Sequence, residues 1–342
     1  MTRARLLAIA VGLPVVLIAG WCGLWLWSAG ALESALAEWQ AQQRQRGIEV
    51  AFAGPEIAGF PTGLSARFGE PRAVGERGWR WNGPEVTGAA RVWSPFTIET
   101  LFPGRHRLGV IPAPDAPEVE IEADAARASA RATLRRNGTL EQADVEIGDL
   151  RILAPTGEPI TAALLSGRFE PLAERGEDGL ARIALAARGE RISLPERLAL
   201  PLGRDLELAS LDAVLIGEIP PGAPRDALAR WRETGGQLDV QALSLIWGPM
   251  RLEAEGSASL DEAFRPIGAF TARVHGLIET IDALARAGVI PSGQALAVRI
   301  AVLALGGSSG EGGGADLEVP ITLQEGRLYL GPVPLLPISP VL

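Results

Sequence analysis

The chain contains no lysine, so all 32 of its basic residues are arginine. That absence excludes a Walker-A lysine, a Schiff-base lysine and a Ser–Lys pair, each of which needs a primary amine. The single cysteine, Cys22, excludes an intramolecular disulfide and any thiolate metal cluster. His106 and His275 are the only histidines. Neither has a Cys or His partner at metal-ligand spacing or a Gly-x-Ser-x-Gly context, so neither a zinc site nor a triad is indicated. His106 reads as an ordinary loop residue and His275 as the end of a strand. Aromatic residues make up only 5% of the chain, and cores recruit them first. Trp79 and Trp81, spaced i, i+2, therefore read as neighbours on one strand face that pack, rather than as a sugar-stacking platform.

What is present points to a folded protein with short elements: 47% hydrophobic and 21% charged residues, with 41 Gly and 26 Pro over 342 positions. Net charge is −9, and beyond Gly30 there are 30 Arg against 41 acids. Nucleic acid and anionic lipid surfaces should repel such a domain.

The longest apolar run is Leu6 to Trp27, without a charge. As a helix at about 1.5 Å per residue it reaches about 33 Å, enough to cross a hydrocarbon core of about 30 Å. Arg3 and Arg5 precede it, which places the N-terminus on the cytoplasmic side. Trp21, Trp25 and Trp27 collect at its far end, where an interfacial aromatic belt would lie. Pro14 permits a kink without preventing the helix from spanning. The competing interpretation is a cleaved signal peptide with a small-residue site at Ser28-Ala29-Gly30. Against it, the run exceeds the usual h-region of about 7–15 residues and ends in bulky tryptophan. Trp21 stands where a lipobox before Cys22 needs a small residue. Ala31 to Arg46 continues as an amphipathic helix with Leu32, Ala35, Leu36 and Trp39 on one stripe, Ser28 at its start and Gly47 at its end.

Beyond Gly47 the dominant period is two. Glu118, Glu120, Glu122 and Asp124 alternate with Val119, Ile121 and Ala123, and Leu317, Val319, Ile321 and Leu323 alternate with polar residues and Pro320. The same pattern predicts strands at 64–68, 86–93, 145–153, 163–169, 181–188, 206–216, 238–247, 251–260 and 268–274. Turn signals such as Asn137-Gly138 and Asp178-Gly179 separate many of them. Helices are predicted at 224–234 and 277–287, with 294–305 ambiguous. Gly306 to Gly314 reads as a flexible loop, and 331–342 as too proline-rich for an interior strand.

The predicted class is thus α+β and predominantly antiparallel β. It comprises a cytoplasmic tail (1–5), a transmembrane helix (6–27), a juxtamembrane helix (28–47) and a β-rich periplasmic domain (48–342). That domain would be a curved sheet or a sandwich, with a weak boundary near Pro220-Pro221. Gly310-x-Gly312-x-x-Ala315 matches a dinucleotide fingerprint in letters only, because it leads into a strand instead of a helix. Acids spaced i, i+2 on a strand lie roughly 7 Å apart, too far for one cation, so the Glu118–Asp124 row reads as a solvated face.

The elements Ile57-Ala58-Gly59-Phe60-Pro61, Trp93-x-Pro95 and Pro103-Gly104-x-His106 resemble an alphaproteobacterial group, domain-of-unknown-function family 2125. So do Trp247-Gly248-Pro249, Arg265-Pro266-x-Gly268 and Gly326-Arg327-Leu328-Tyr329-Leu330-Gly331-Pro332. The resemblance implies an inner-membrane, periplasm-facing protein and carries over no catalytic residue. The layout is also similar to AsmA-like envelope proteins, in which a curved sheet with an apolar inner face is associated with lipid handling.

Two functions follow as expectations. One is a non-enzymatic, membrane-tethered envelope protein that needs no cofactor and cradles lipid or an envelope partner on its apolar face. Leu206 and Leu208 are candidate groove residues, and the groove would open near Trp21, Trp25 and Trp27. The rival is a periplasmic hydrolase whose carboxylates are not identifiable among the 41 acids.

Overall fold

The computed structural model describes residues 3–75, 78–111, 117–153, 157–198, 200–220, 224–304 and 317–341. The chain forms two compact units. The first comprises residues 1–138 and 152–157, the second 139–151 and 158–342. The expected division near Pro220-Pro221 is not where the units part. The strands on either side of that point are hydrogen-bonded neighbours in one sheet, as described below.

The first unit opens with α1 (Arg3–Gln45). The apolar and amphipathic segments form one continuous helix, with Ser28 inside it and not at a cap. Ser34 Oγ donates to the Gly30 carbonyl at 3.0 Å, a local bond that fits inside a helix. The helix ends where Gly47 adopts a φ of +75° and donates to the Arg44 carbonyl, a turn that glycine makes without strain.

Seven strands follow: β1 (Ile48–Ala58), β2 (Gly63–Gly75), β3 (Arg80–Asn82), β4 (Val86–Arg91), β5 (Ser94–Leu101), β6 (Gly104–Val110) and β7 (Val119–Leu134). Their register makes a five-position antiparallel meander. β1 pairs with β2, and β2 pairs along one edge with β4 at residues 63–68 and with β3 at 72–74. β4 pairs with β5, and β3 with β6. β7 then pairs with both β6 and β5. β3 and β4 are thus one strand interrupted at Gly83-Pro84-Glu85, and β5 and β6 one strand interrupted at Phe102-Pro103. Proline cannot donate to a ladder, which explains why both interruptions hold one.

The second unit contains most of β8 (Leu140–Leu153) and then β9 (Ile160–Pro171), β10 (Arg182–Ser193), β11 (Asp205–Ile216), β12 (Gln237–Trp247), β13 (Met250–Leu260), β14 (Pro266–His275), β15 (Leu317–Gln324), β16 (Arg327–Leu330) and β17 (Val333–Pro337). From β9 to β17 each strand pairs antiparallel with the next. α2 (Pro224–Glu233) lies between β11 and β12, and α3 (Leu277–Arg286) and α4 (Ser292–Ala304) between β14 and β15. β17, the proline-rich segment, pairs with β16 at the end of this meander.

The fold is therefore mostly antiparallel β, as the period-two pattern predicts. Among the described residues no helix is long and apolar enough to cross a membrane. The expected span 6–27 falls in α1, where the side chains of residues 3–21 and 24 lie outside those described.

The second unit has a conventional core. Ala254, Ala272, Val274, Val319, Leu330 and Val333 from the sheet bury against Ile281, Ile290, Ala295 and Val298 from the α3–α4 segment. The β13–β14 turn is closed by Asp261. Its Oδ1 accepts from the Ala263 and Arg265 amides, both at 2.8 Å, and its Oδ2 accepts from Arg265 Nε at 2.7 Å. Burial pushes the Asp261 carboxyl up, but the hydrogen bonds and the Arg265 charge outweigh it and hold the group below its ordinary value. A depressed carboxylate contributes stability that is complete above the unfolded pKa, about 3.9, and is lost as pH falls through the native value. Asp261→Asn should cost about 1–2 kcal/mol near neutral pH. In denaturant titrations the gap from wild type should close below about pH 4.

Candidate functional site

Residues paired across neighbouring strands share a face, so the register sorts the first unit's side chains into two sets. One face is a ladder of ions. Arg107 Nε meets Glu122 at 3.0 Å and Glu120 at 3.6 Å, and Arg105 reaches Glu122 at 3.8 Å and Asp124 at 3.9 Å. Arg80 pairs with Glu118, Arg67 with Glu85 at 3.2 Å, and Arg131 with Glu99 at 3.0 Å. The acidic row is thus a solvated face whose carboxylates meet arginines from the next strand.

The other face is apolar. Val50, Ala73, Trp81, Leu108 and Ile121 form one cross-strand row, and Leu64, Ala90, Ile98 and Ala132 form another. Phe52 and Phe68 meet edge to face with centroids 5.0 Å apart. Among the described residues of this unit, the buried hydrophobic ones are three alanines, Ala66, Ala125 and Ala128. Every large apolar side chain described on this face keeps some exposure, and Ile98 and Leu108 are 39% and 38% exposed. The second unit behaves differently, burying Ile281 to 2%, Ile290 to 1% and Val298 to 2% under its own helices.

Where the strands are interrupted, the apolar face sinks into a cavity of about 380 Å³ lined by Trp81, Val86, Phe102 and His106. The His106 ring stacks on Trp81, 5.9 Å between centroids and 15° between planes, and meets Phe102 edge-on at 6.0 Å. His106 Nε2 donates to the Phe102 carbonyl at 2.7 Å, which fixes the imidazole against the strand break. Position 83 must be glycine for this packing. A Cβ there would stand 2.6 Å from the Trp81 ring and 3.3 Å from His106 Nδ1.

His106 is therefore a strand residue in a cavity wall, where a loop residue was expected. Gly104-Arg-His-Arg-Leu108 does alternate in the sequence, and that alternation was the signal for β6. Trp79 lies just before β3, so only Trp81 of the expected tryptophan pair is a strand residue. His275 ends β14, as expected.

Of the membrane-interface candidates, Arg3, Arg5 and Trp21 lie in α1 with side chains outside those described. Trp25 Nε1 donates to the Gly63 carbonyl at 2.9 Å, and its ring meets Phe60 edge-on at 5.8 Å. Trp27 is 71% exposed. Leu206 and Leu208 are half-buried in β11 of the second unit. A register shift sets Leu206 opposite Trp247 and Leu208 opposite Ile246, whose side chains alternate to opposite faces. Cys22 is half-buried in α1. The expected loop at 306–314 and the Gly310-x-Gly312-x-x-Ala315 letters fall outside the described residues.

A second depression, about 420 Å³, opens on the outer face of the second unit beside the bulge between Val240 and Leu243. Glu253, Arg273 and Glu318 stand in one cross-strand row there, so the arginine lies between the two acids. Glu253 and Arg273 are well exposed, 3.5 Å apart. Among the described residues no cluster of His, Cys, Asp and Glu has the geometry to hold a metal ion.

Residues 25–339 match the family described as an uncharacterized protein conserved in bacteria, DUF2125. The chain belongs to this family. No curated protein and no solved structure matches it. The DUF2125 resemblance noted from short motifs is thereby shown over most of the chain, and the structure gives those motifs a physical role. Ile57-Ala58 ends β1 and Gly59-Phe60-Pro61 enters the β1–β2 turn against Trp25, and Trp93 sits in the β4–β5 turn. Pro103-Gly104-x-His106 runs from the strand break into β6, where His106 lines the cavity. Arg265-Pro266 leaves the turn that Asp261 closes, and Trp247 Nε1 bonds the Gly203 carbonyl at 2.8 Å beside the β12–β13 turn.

Proposed function

We propose that this chain is a non-enzymatic protein of the bacterial inner membrane. The apolar segment of α1 tethers it, and the β-rich units stand in the periplasm. The first unit's apolar face receives lipid acyl chains. The observation that supports this most is the contrast between the two faces of one sheet. The ionic face is satisfied strand by strand, whereas among the described residues no layer covers the apolar face and buries its large side chains. Exposed contiguous apolar surface of this kind marks a binding surface. Acyl chains match it because they need no hydrogen-bond partners, and the bordering cavity presents three apolar side chains and one imidazole whose Nε2 is already engaged. The tether is supported by the uncharged run 6–27, by Arg3 and Arg5 before it and by the tryptophans at its end.

Membrane fractionation and lipid analysis test this together. The full chain should remain in the membrane through high-salt and alkaline washes, and gently solubilised protein should carry phospholipid detectable by mass spectrometry. Full-length protein in the soluble periplasmic fraction would overturn the tether, and protein free of lipid would overturn the acyl-chain function.

A further inference from the structure

We infer that one end of the first unit's sheet, formed by the turns at 59–63 and 91–96, seats in the interfacial layer of the bilayer that holds α1. The inference rests on the tether proposed above and adds a second point of membrane contact. Four links fix the height of these turns along the helix. Trp25 Nε1 donates to the Gly63 carbonyl at 2.9 Å, and the Trp25 ring meets Phe60 at 5.8 Å. The Val92 amide donates to the Thr62 carbonyl at 3.2 Å, and Gly63 pairs with Arg91, which joins the second turn to the first. Trp25 belongs to the last helical turn of the uncharged run, so both turns stand where that run would leave the hydrocarbon.

The side chains at this end suit that depth. Trp93 is 69% exposed, Phe60 48%, Phe96 43% and Val92 40%, and Trp27 and Leu26 on the helix beside them are 71% and 66% exposed. Large apolar side chains scattered singly over a surface need no explanation, but these lie on or beside two linked turns against one helix position. Tryptophan and phenylalanine gathered at one level are what an interfacial belt requires. The domain's excess of acids disfavours attraction to anionic headgroups, so the insertion relies on apolar side chains and should occur on neutral lipid. Leu64 and Ile98 belong to the apolar row nearest these turns, so acyl chains leaving the bilayer at this point meet the apolar face directly.

The single cysteine makes the test simple. In a Cys22→Ala background, Trp27→Cys, Trp93→Cys and Leu101→Cys are each labelled with an environment-sensitive fluorophore. The full chain is then reconstituted into phosphatidylcholine vesicles containing a lipid spin-labelled near its headgroup. Probe emission should be lost at 93 as strongly as at 27, and retained at 101, on the ionic face. Quenching at 27 with none at 93 would overturn the interfacial seat and leave the tether standing. Quenching at neither position would overturn both.

Discussion

Replacing Ile98 by arginine should strip lipid from the purified protein without unfolding it. Ile98 lies on the apolar face between Ala90 and Ala132 and is 39% exposed, so folding depends little on its side chain. Bound acyl chains would depend on it heavily, because an arginine held against hydrocarbon costs about 2.5–3.5 kcal/mol. That corresponds to a fall in lipid affinity of about two orders of magnitude. Leu101→Arg supplies the control. Leu101 is in the same strand and 53% exposed, but its register with Thr87 and Ser129 puts it on the ionic face. Lipid content by mass spectrometry should collapse in the first variant and stay at the wild-type level in the second. Circular dichroism should be unchanged in both.

The second large effect is on stability and lies in the other unit. Ile281 on α3 is 2% exposed and packs in the cluster with Val274, Val298 and Val319. Ile281→Ala removes buried methyl and methylene groups from a site closed by both helices and the sheet. It should cost about 2–5 kcal/mol, roughly 5–15 °C in the melting temperature of a unit this size. Ile290→Ala, at 1% exposure, should behave alike. Calorimetry of the full chain in detergent checks both. A loss under about 1 kcal/mol would mean that α3 and α4 are not the cover of this sheet.

The long strands were legible because each has a solvated face and an apolar one. β15 coincides with its predicted bounds, and β11 to β14 differ from theirs by one or two residues. The helices α2 and α3 were legible from their flanking Gly and Pro, whereas the apolar segment that forms α4 has no clear period in the sequence. β1, β3, β5 and β6 were not. β1 contains Gly54 and Pro55, which interrupt its alternation, while β3 has only three residues. β5 and β6 are halves of one strand divided by Phe102-Pro103, and local pattern cannot show that two short pieces share a partner such as β7. The same limit hid the candidate site. Trp81, Val86, Phe102 and His106 come from three strand segments and an interruption, and their meeting is a property of register. An apolar surface is expected from the sequence at Leu206 and Leu208 in the second unit, and the exposed apolar rows through Ile98 and Leu108 lie in the first. The two faces of the first unit separate clearly only once Arg105, Arg107, Glu120 and Glu122 are seen paired on one side.

On the proposed function, lipid meets the apolar face of the first unit's sheet and leaves the ionic face bare. A benzophenone amino acid placed at position 98 or, in a separate variant, at 99 puts a photoreactive ketone on opposite faces of the same strand, one residue apart. Irradiation of the full chain in its native membrane, followed by mass spectrometry of the purified protein, should give phospholipid adducts from position 98 and none from 99. Equal labelling at the two positions, or no lipid adduct at 98, would contradict it.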